Sequence, residues 1–180
     1  YAVTAIDALT DYQSKPKIRL WHSPLYLQNE NFYYDLARWT GMIDRNIYRG
    51  GYLETEVNLW QLGPLCLATI PGEITPDLGL RIKQAAGGEP TMIVGLANDE
   101  LGYLMPAAEF DLPIYRYERT LCVGRNAGDL IYRKLADLGL LANQQRQQDL
   151  RLANAKQKTV EPEPAPELQS PIVPTSSTNK

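Results

Sequence analysis

Two turns at the ends of apolar segments each carry a side chain that could bind a metal ion. Glu73 follows Pro71-Gly72 directly after the apolar run 65–70. Tyr103 closes a polar turn that leaves the apolar run 91–97. A carboxylate and a phenol that emerge from neighbouring strand ends are plausible oxygen ligands for one cation. The pattern therefore predicts Glu73 and Tyr103 as metal ligands, with a turn carboxylate and an ordinary packed aromatic residue as the alternatives.

The segments before Glu73 predict an antiparallel hairpin. Residues 52–60 alternate apolar and polar side chains, which is typical of a half-buried strand. Residues 61–64 form a turn, and the apolar run 65–70 is the second strand. The hairpin would deliver Glu73 at its end.

The segments after Glu73 predict a crossover to a parallel strand. Thr75-Pro76-Asp77 is a favourable helix start, with the threonine hydroxyl as cap, and Gly87-Gly88 is a stop. A buried strand is predicted over 91–97. Strand, helix and strand over about 30 residues have the spacing of a βαβ unit. Ligand sites of such sheets collect at the carboxyl ends of the strands, so Glu73 and the turn 98–103 should share one edge.

The remaining segments complete an α/β protein with a mixed sheet and flanking helices. Asn143–Lys158 is Gln-rich and predicts at most a solvated helix, and 159–180 contains five prolines and predicts a disordered tail. We place a boundary between a domain at 1–141 and a polar helix with a Pro-rich tail at 142–180. The other predictions are a helix end in 2–9, a strand at 17–21, a helix at 31–40 capped by Asn29 or Asn31, a helical turn at 106–109, an extended loop or edge strand at 115–118, and a helix at 126–139.

Composition excludes some classes of function. The chain has 180 residues, of which 44% are hydrophobic, and a net charge of −3. This negative charge does not favour binding to nucleic acid or to an anionic membrane. The apolar runs are shorter than the roughly 20 residues that span a bilayer. Cys66 and Cys122 lack the spacing of a metal site; buried free thiols are the simplest interpretation, and a disulfide is the alternative.

Several longer segments resemble one enzyme family. They are Leu67 to Glu73, Gly79 to Ile82, Gly95 to Pro106, Tyr115 to Arg119 and Gly124 to Leu138, in colinear order between about residues 20 and 140. The chain is similar here to the neutral/alkaline (non-lysosomal) ceramidase family of secreted zinc amidohydrolases. In that family two His, one Glu and one Tyr hold the zinc ion. Glu73 and Tyr103 match the Glu and Tyr positions.

The resemblance implies part of a catalytic domain. The family's two His ligands and its Ser motif lie in the first half of that domain, and the single histidine here, His22, lies in no similar motif. The expected cofactor is thus Zn²⁺ shared with histidines outside this chain, and the expected partner is the missing N-terminal half. We expect the isolated chain to be inactive. The family's C-terminal β-sandwich domain has no counterpart here.

The implied function is hydrolysis of the N-acyl amide of ceramide or a related N-acyl lipid. The resemblance also implies a secreted or periplasmic protein and leaves peripheral membrane contact open. One alternative is a ceramidase-like scaffold or binding domain without metal. Another is a structural α/β domain whose tail recruits partners through Pro171-Ile172-Val173-Pro174.

Other residues with functional chemistry have weaker cases. His22 and Ser23 are adjacent and would not align as base and nucleophile. Asn98 and Asp99 are expected to orient their turn through side-chain hydrogen bonds, with a role behind the metal ligands as the alternative. Tyr115, Tyr117 and Arg119 are expected to be structural, although this tyrosine-rich region could line an apolar groove for an acyl chain.

Overall fold

A computed structural model of the protein describes residues 15–44, 47–48, 50–87 and 90–159. The predictions for 2–9, for Gly88 and for 160–180, including the Pro171–Pro174 motif, lie outside these residues. The elements are β1 (Ile18–Gln28), α1 (Phe32–Trp39), β2 (Ile47–Tyr48), β3 (Tyr52–Leu62), β4 (Leu65–Thr69), β5 (Glu73–Ile74), α2 (Pro76–Ala86), β6 (Thr91–Val94), β7 (Tyr103–Leu104), a 3₁₀ turn (Pro113–Tyr115), α3 (Arg116–Leu121) and α4 (Ala127–Thr159).

The main sheet is mixed, which confirms the predicted fold class. Its order is β1-β3-β4-β6, and β2 also pairs with β3. β1, β3 and β4 are antiparallel, whereas β4 and β6 are parallel neighbours joined through α2. The predicted hairpin and the predicted βαβ crossover are both confirmed. A second, two-stranded sheet joins β5 to β7.

One face of the main sheet forms the core. α4 packs on β1 and β3, and α2 packs on β4 and on β6. The alternation predicted for β3 is confirmed, because its odd-numbered side chains are buried under the helices. The fully buried core residues of the sheet and helices include Leu27, Leu53, Val57, Leu59, Ala68, Ile70, Leu78, Ile82, Ile131 and Leu135.

The opposite face of the main sheet has no helix on it among the described residues. One row across the four strands reads Leu20, Trp60, Leu67 and Met92, because the register pairs these residues in turn. Leu20 is 48% exposed and Met92 is 55% exposed. β6 was predicted as a buried strand over 91–97; that prediction was wrong in both length and burial. An edge strand has only one neighbour, so nothing covers its outer side.

Two helices differ from their predicted forms. Residues 115–118 were predicted as an extended loop or edge strand, but they lie in the 3₁₀ turn and in α3. Pro113 supplies the start, since its fixed φ suits the first position of a helix. α4 continues through 143–158 to Thr159, so the boundary we placed at 141/142 falls inside a continuous helix. Ala142 is buried there and keeps that turn of α4 on the sheet.

The smaller predictions have mixed outcomes. Asn31 caps α1 by accepting a hydrogen bond from the Tyr33 backbone N–H at 2.9 Å. Thr75 occupies the cap position of α2, but its hydroxyl donates to Glu109 at 3.2 Å and makes no cap bond. Residues 107–111 form turns and no helix. None of the helices in the described ranges is long and apolar enough to cross a membrane.

Candidate metal centre

Glu73 and Tyr103 are direct neighbours in the structure. The parallel ladder of β5 and β7 pairs Glu73 with Tyr103 and Ile74 with Leu104. The Glu73 backbone N–H donates to the Gly102 carbonyl at 2.9 Å. Paired residues of a ladder project from the same side of it, about 5 Å apart. The structure therefore brings the two predicted ligands together. The sequence predicted only that they share one edge of a sheet.

Gly72 makes this close approach feasible. A Cβ at Gly72 would lie 2.5 Å from the Gly102 carbonyl oxygen and 2.9 Å from Leu104 Cδ1. Real Cβ atoms do not approach backbone oxygens that closely, so any other residue would push β5 away from β7. The glycine of the Pro-Gly-Glu motif is thus required by the pairing of Glu73 with Tyr103.

Gly102 positions the ladder against α3. Its φ is +69°, which favours glycine, and an added Cβ would collide with the Leu121 carbonyl oxygen at the end of α3. α3 also packs on β7. The helix that the sequence did not predict is therefore fixed directly beside Tyr103.

The turn before Tyr103 has a strained backbone. Leu96 and Asn98 have φ values of 52° and 70°, which are uncommon for residues with a Cβ. Leu96 and Ala97 donate backbone hydrogen bonds to Gly72 (3.1 Å) and Ile70 (3.0 Å), so the turn lies across the Pro-Gly segment.

Side chains of this turn anchor it to β3. The Asn98 amide donates to the Glu56 carboxylate, and Asp99 accepts from Thr55 Oγ1 at 2.7 Å. Asp99 also accepts the Glu100 backbone N–H at 2.8 Å. Both residues therefore orient the turn, as predicted.

The electrostatics of the pair suit a cation. The charge of Glu73 is the main cause that raises the pKa of Tyr103, and burial, Tyr117 and Glu118 add to it. A weaker side-chain hydrogen bond with Glu73 acts in the same direction. The phenol therefore stays neutral beside the carboxylate. A bound cation would reverse this effect, because it favours both anionic oxygens.

α3 contributes a further carboxylate that the sequence reasoning missed. Glu118 Oε2 is buried and has no hydrogen-bond partner among the described residues. The Tyr117 ring packs edge-on against Tyr103, with ring centroids 6.0 Å apart. Burial is the first cause that raises the pKa of Tyr115, followed by the charges of Glu109, Glu118 and Asp77. The signal available in the sequence was the Pro113 helix start, which would have placed Glu118 on a helix.

These donors fit part of a zinc site. In the described part of the chain, no Lys, Arg or His lies within ion-pair distance of Glu73, Glu109 or Glu118. The uncompensated oxygens and the unpartnered Glu118 Oε2 suit a divalent cation. No group of three or more His, Cys, Asp or Glu side chains with metal-site geometry occurs in the described ranges. Glu73 and Tyr103 can therefore hold Zn²⁺ only together with ligands from elsewhere.

The other candidate residues do not form a second catalytic site. His22 Nδ1 lies 2.9 Å from Asn58 Oδ1 and 3.6 Å from Glu56 Oε2, whereas Ser23 Oγ donates to the Pro24 carbonyl. This agrees with the expectation that His22 and Ser23 do not act as base and nucleophile. Arg119 pairs with Asp111 at 3.3 Å, a structural role. Cys66 and Cys122 are free and buried, so the disulfide alternative is not realised.

An apolar cavity lies beside the metal centre. It has a volume of about 450 Å³ and is lined by Asn31, Tyr33, Tyr34, Ile43, Glu100, Gly102 and Leu121. Gly102 immediately precedes Tyr103 in the chain. Tyr115, Tyr117 and Arg119 are not in its lining, so this cavity is not the groove that the sequence suggested for their region.

Comparison with known proteins gives a limited likeness. No protein-family model and no curated protein matches the chain. The solved structure of neutral ceramidase from Pseudomonas aeruginosa aligns with a TM-score of 0.45 and 22% identity, covering 52% of this chain and 16% of that one. A ceramidase complexed with C2 aligns with a TM-score of 0.45 and 20% identity, covering 52% of this chain and 15% of that one. The matched part is less than a fifth of either ceramidase, and these values assign no family.

Proposed function

We propose that this chain supplies Glu73 and Tyr103 to the zinc site of an amidohydrolase whose two histidine ligands lie outside these 180 residues. The observation that carries the proposal is the direct pairing of Glu73 with Tyr103 on two short parallel strands. The pairing agrees with the motif resemblance, which assigns one Glu and one Tyr ligand to these two positions.

The residues of this chain have separate tasks in the proposed reaction. Glu73 and Tyr103 would provide the oxygen ligands of this chain and would hold the ion at the β5–β7 ladder. When bound, zinc supplies a Lewis acid for the amide carbonyl and lowers the pKa of a water molecule. Gly72 and Gly102 keep the two ligands in register, since side chains at either position would separate β5, β7 and α3.

The substrate that we propose is ceramide or a related N-acyl lipid. The cavity of about 450 Å³ beside Gly102 supports this, because its walls of Tyr33, Tyr34, Ile43 and Leu121 suit an alkyl chain. Its position next to Tyr103 would place the amide near the ligands. By the same resemblance we propose a secreted or periplasmic compartment, which fractionation of cells that express the parent protein would test.

The test uses the full-length parent protein. Zinc content and hydrolysis of a short-chain fluorescent ceramide are measured for wild type, Glu73→Ala and Tyr103→Phe. We expect stoichiometric zinc in the wild type and a loss of both zinc and activity in each variant. Tyr52→Phe is the control, because this tyrosine is exposed on β3 and belongs neither to the Glu73–Tyr103 pair nor to the cavity wall. A parent protein without zinc would favour the metal-free scaffold, whereas zinc that is unaffected by both changes would show that Glu73 and Tyr103 are not its ligands.

A further inference from the structure

We propose that helix α1 binds the surface of a zwitterionic lipid membrane through an exposed apolar stripe. The stripe consists of Phe32, Leu36 and Trp39, with Met42 just beyond the end of the helix. The choice of a lipid partner rests on the proposed function, whose substrate is a lipid. The binding itself requires neither zinc nor hydrolysis.

The first argument is the direction of the stripe. Positions 32, 36 and 39 have the i, i+4, i+7 spacing that places side chains on one face of a helix. Phe32 is 70% exposed and Trp39 is 84% exposed. Tyr34, two positions after Phe32, projects from the opposite face, where it packs on the core and donates to the Glu100 carbonyl at 3.4 Å. The stripe therefore points away from the described part of the protein.

The second argument is the composition of the stripe. Phenylalanine, leucine and tryptophan are the side chains with which an amphipathic helix enters the boundary between lipid headgroups and acyl chains. Tryptophan suits this boundary because its ring is apolar and its indole N–H can meet water or a headgroup. Single exposed apolar residues need no explanation, but here four large ones occur within the 11 positions 32–42.

The third argument is charge, which selects the kind of membrane. Asp35 and Arg38 are exposed on α1, and Asp44 is exposed shortly after it. Neither Asp35 nor Arg38 forms an ion pair with another described residue. Both signs of charge match phosphatidylcholine, whose headgroup carries a choline cation and a phosphate anion. An anionic surface would repel the two carboxylates and the net charge of −3.

The fourth argument is the connection between the stripe and the apolar cavity. Tyr33 directly follows Phe32, is itself exposed and lines the cavity. Ile43 directly follows Met42 and lines the cavity as well. Both ends of the stripe therefore adjoin the cavity wall. An acyl chain that leaves the membrane at α1 would reach the cavity without exposing its methylene groups to water.

The test is binding of the full-length parent protein to phosphatidylcholine vesicles, measured by co-sedimentation. The α1 variant is Phe32→Ser with Trp39→Ser. The control is Leu150→Ser with Leu152→Ser, which removes two exposed leucines from α4. We expect the α1 variant to bind about 10- to 100-fold more weakly than wild type, and the control to stay within about threefold. Phosphatidylglycerol in the vesicles should not strengthen wild-type binding.

Four results would overturn the inference. One is a wild-type protein that binds no phosphatidylcholine vesicles or binds only anionic ones. Another is an α1 variant that binds as wild type does. A lower melting temperature of the α1 variant without lipid would show that another part of the parent protein covers the stripe. A wild-type dimer that the two changes dissociate would show that a second copy covers it.

Vesicle binding by Glu73→Ala separates this inference from the proposed function. Because α1 needs no metal to bind lipid, Glu73→Ala should bind vesicles as wild type does. If Glu73→Ala and Tyr103→Phe keep their zinc while the α1 variant loses vesicle binding, the proposed zinc site fails and the membrane surface stands. If the two ligand variants lose zinc while the α1 variant still binds vesicles, the zinc site stands and the membrane surface is overturned.

Discussion

The helix-covered face of the main sheet and the candidate metal centre at the strand ends differ in composition and burial. On the covered face, Leu59, Ile70 and Ile131 are fully buried apolar residues. At the candidate metal centre, Glu73 is exposed, Glu118 Oε2 has no partner among the described residues, and Leu96 has a positive φ. The covered face stabilises the fold, whereas the candidate metal centre contains polar groups without compensating partners among the described residues. Such local conflicts are expected where a protein binds something.

The largest effect should come from the covered face. Leu59→Ala removes a fully buried side chain and leaves a cavity, so we expect the free energy of unfolding to fall by about 2–5 kcal/mol. Leu20→Ala is the matched control on the open face, where the side chain is 48% exposed, and we expect less than about 1 kcal/mol. Urea denaturation of both variants measures the difference. Equal losses would mean that the open face is also covered in solution.

The reactivity of the Cys122 thiol measures how closely the segment after α3 is packed. Burial raises the pKa of this thiol to about 11 from an ordinary value of 9.0, although a hydrogen bond with the Gly124 backbone acts in the opposite direction. The thiolate fraction at pH 8 is therefore about 100-fold lower than for an ordinary cysteine. We expect alkylation by iodoacetamide to be slower by at least that factor and to accelerate up to about pH 11.

The alkylation experiment uses a Cys66→Ala chain, so that Cys122 is its only thiol. Reactivity in urea provides the unprotected reference rate. Native alkylation at the reference rate would show that the segment after α3 opens freely, which would contradict a rigid metal centre.

Gly102→Ala should damage the metal centre more than the core. The residue has φ +69°, and its Cβ would strike the Leu121 carbonyl, so α3 and β7 must separate. We expect a loss of about 1–3 kcal/mol in stability and weaker zinc binding. Gly41→Ala is the control, because its φ is +74° and its added Cβ would meet nothing within 4 Å. An equal cost in the two variants would leave only backbone strain and remove the steric contact from the explanation.

The smallest effect is expected at the far end of the sheet. Asp149 on α4 accepts from Arg19 on β1 at 2.6 Å, and this bond holds the pKa of Asp149 below its ordinary value of 3.8. A lowered pKa in the folded state stabilises the protein above pH 3.8, and the contribution is lost as the pH falls through the folded value. Asp149→Asn should lower the melting temperature slightly at pH 7 and not at all below the folded pKa.

Melting curves between pH 2 and pH 7, at low and high salt, measure this contribution of Asp149. Because the pair is partly exposed, high salt should reduce the difference between wild type and variant. A difference that persists at the lowest pH would indicate a loss of packing, not of charge.

Local patterns predicted much of the fold. The alternation in 52–60, the Pro76 start and the Gly87 stop each depend on residues close in sequence, and each appears in the structure. The predicted parallel pair of β4 and β6 also appears, because a short crossover permits few other arrangements. Each of these features depends on residues that are close in the chain, so the sequence was sufficient to predict it.

The errors share one physical cause. The strand at 91–97 reads as fully buried, yet β6 is a short edge strand with Met92 and Val94 exposed. The polar, aromatic segment 115–118 was predicted as extended, but it forms part of the 3₁₀ turn and α3, where Tyr117 packs against Tyr103 of β7. Which neighbours cover a segment is a tertiary property, and periodicity cannot report it.

By itself, the sequence determined that Glu73 and Tyr103 emerge from neighbouring strand ends, because apolar runs, glycines and prolines fix where strands stop. Only the tertiary structure decided that these two residues pair directly and that Tyr117 of α3 packs against Tyr103. Those facts depend on two close backbone approaches, of Gly72 to Gly102 and of Gly102 to Leu121, between residues that are 30 and 19 positions apart in the chain. No local pattern encodes such contacts, because they arise only when the core has set the positions of all the strands and helices.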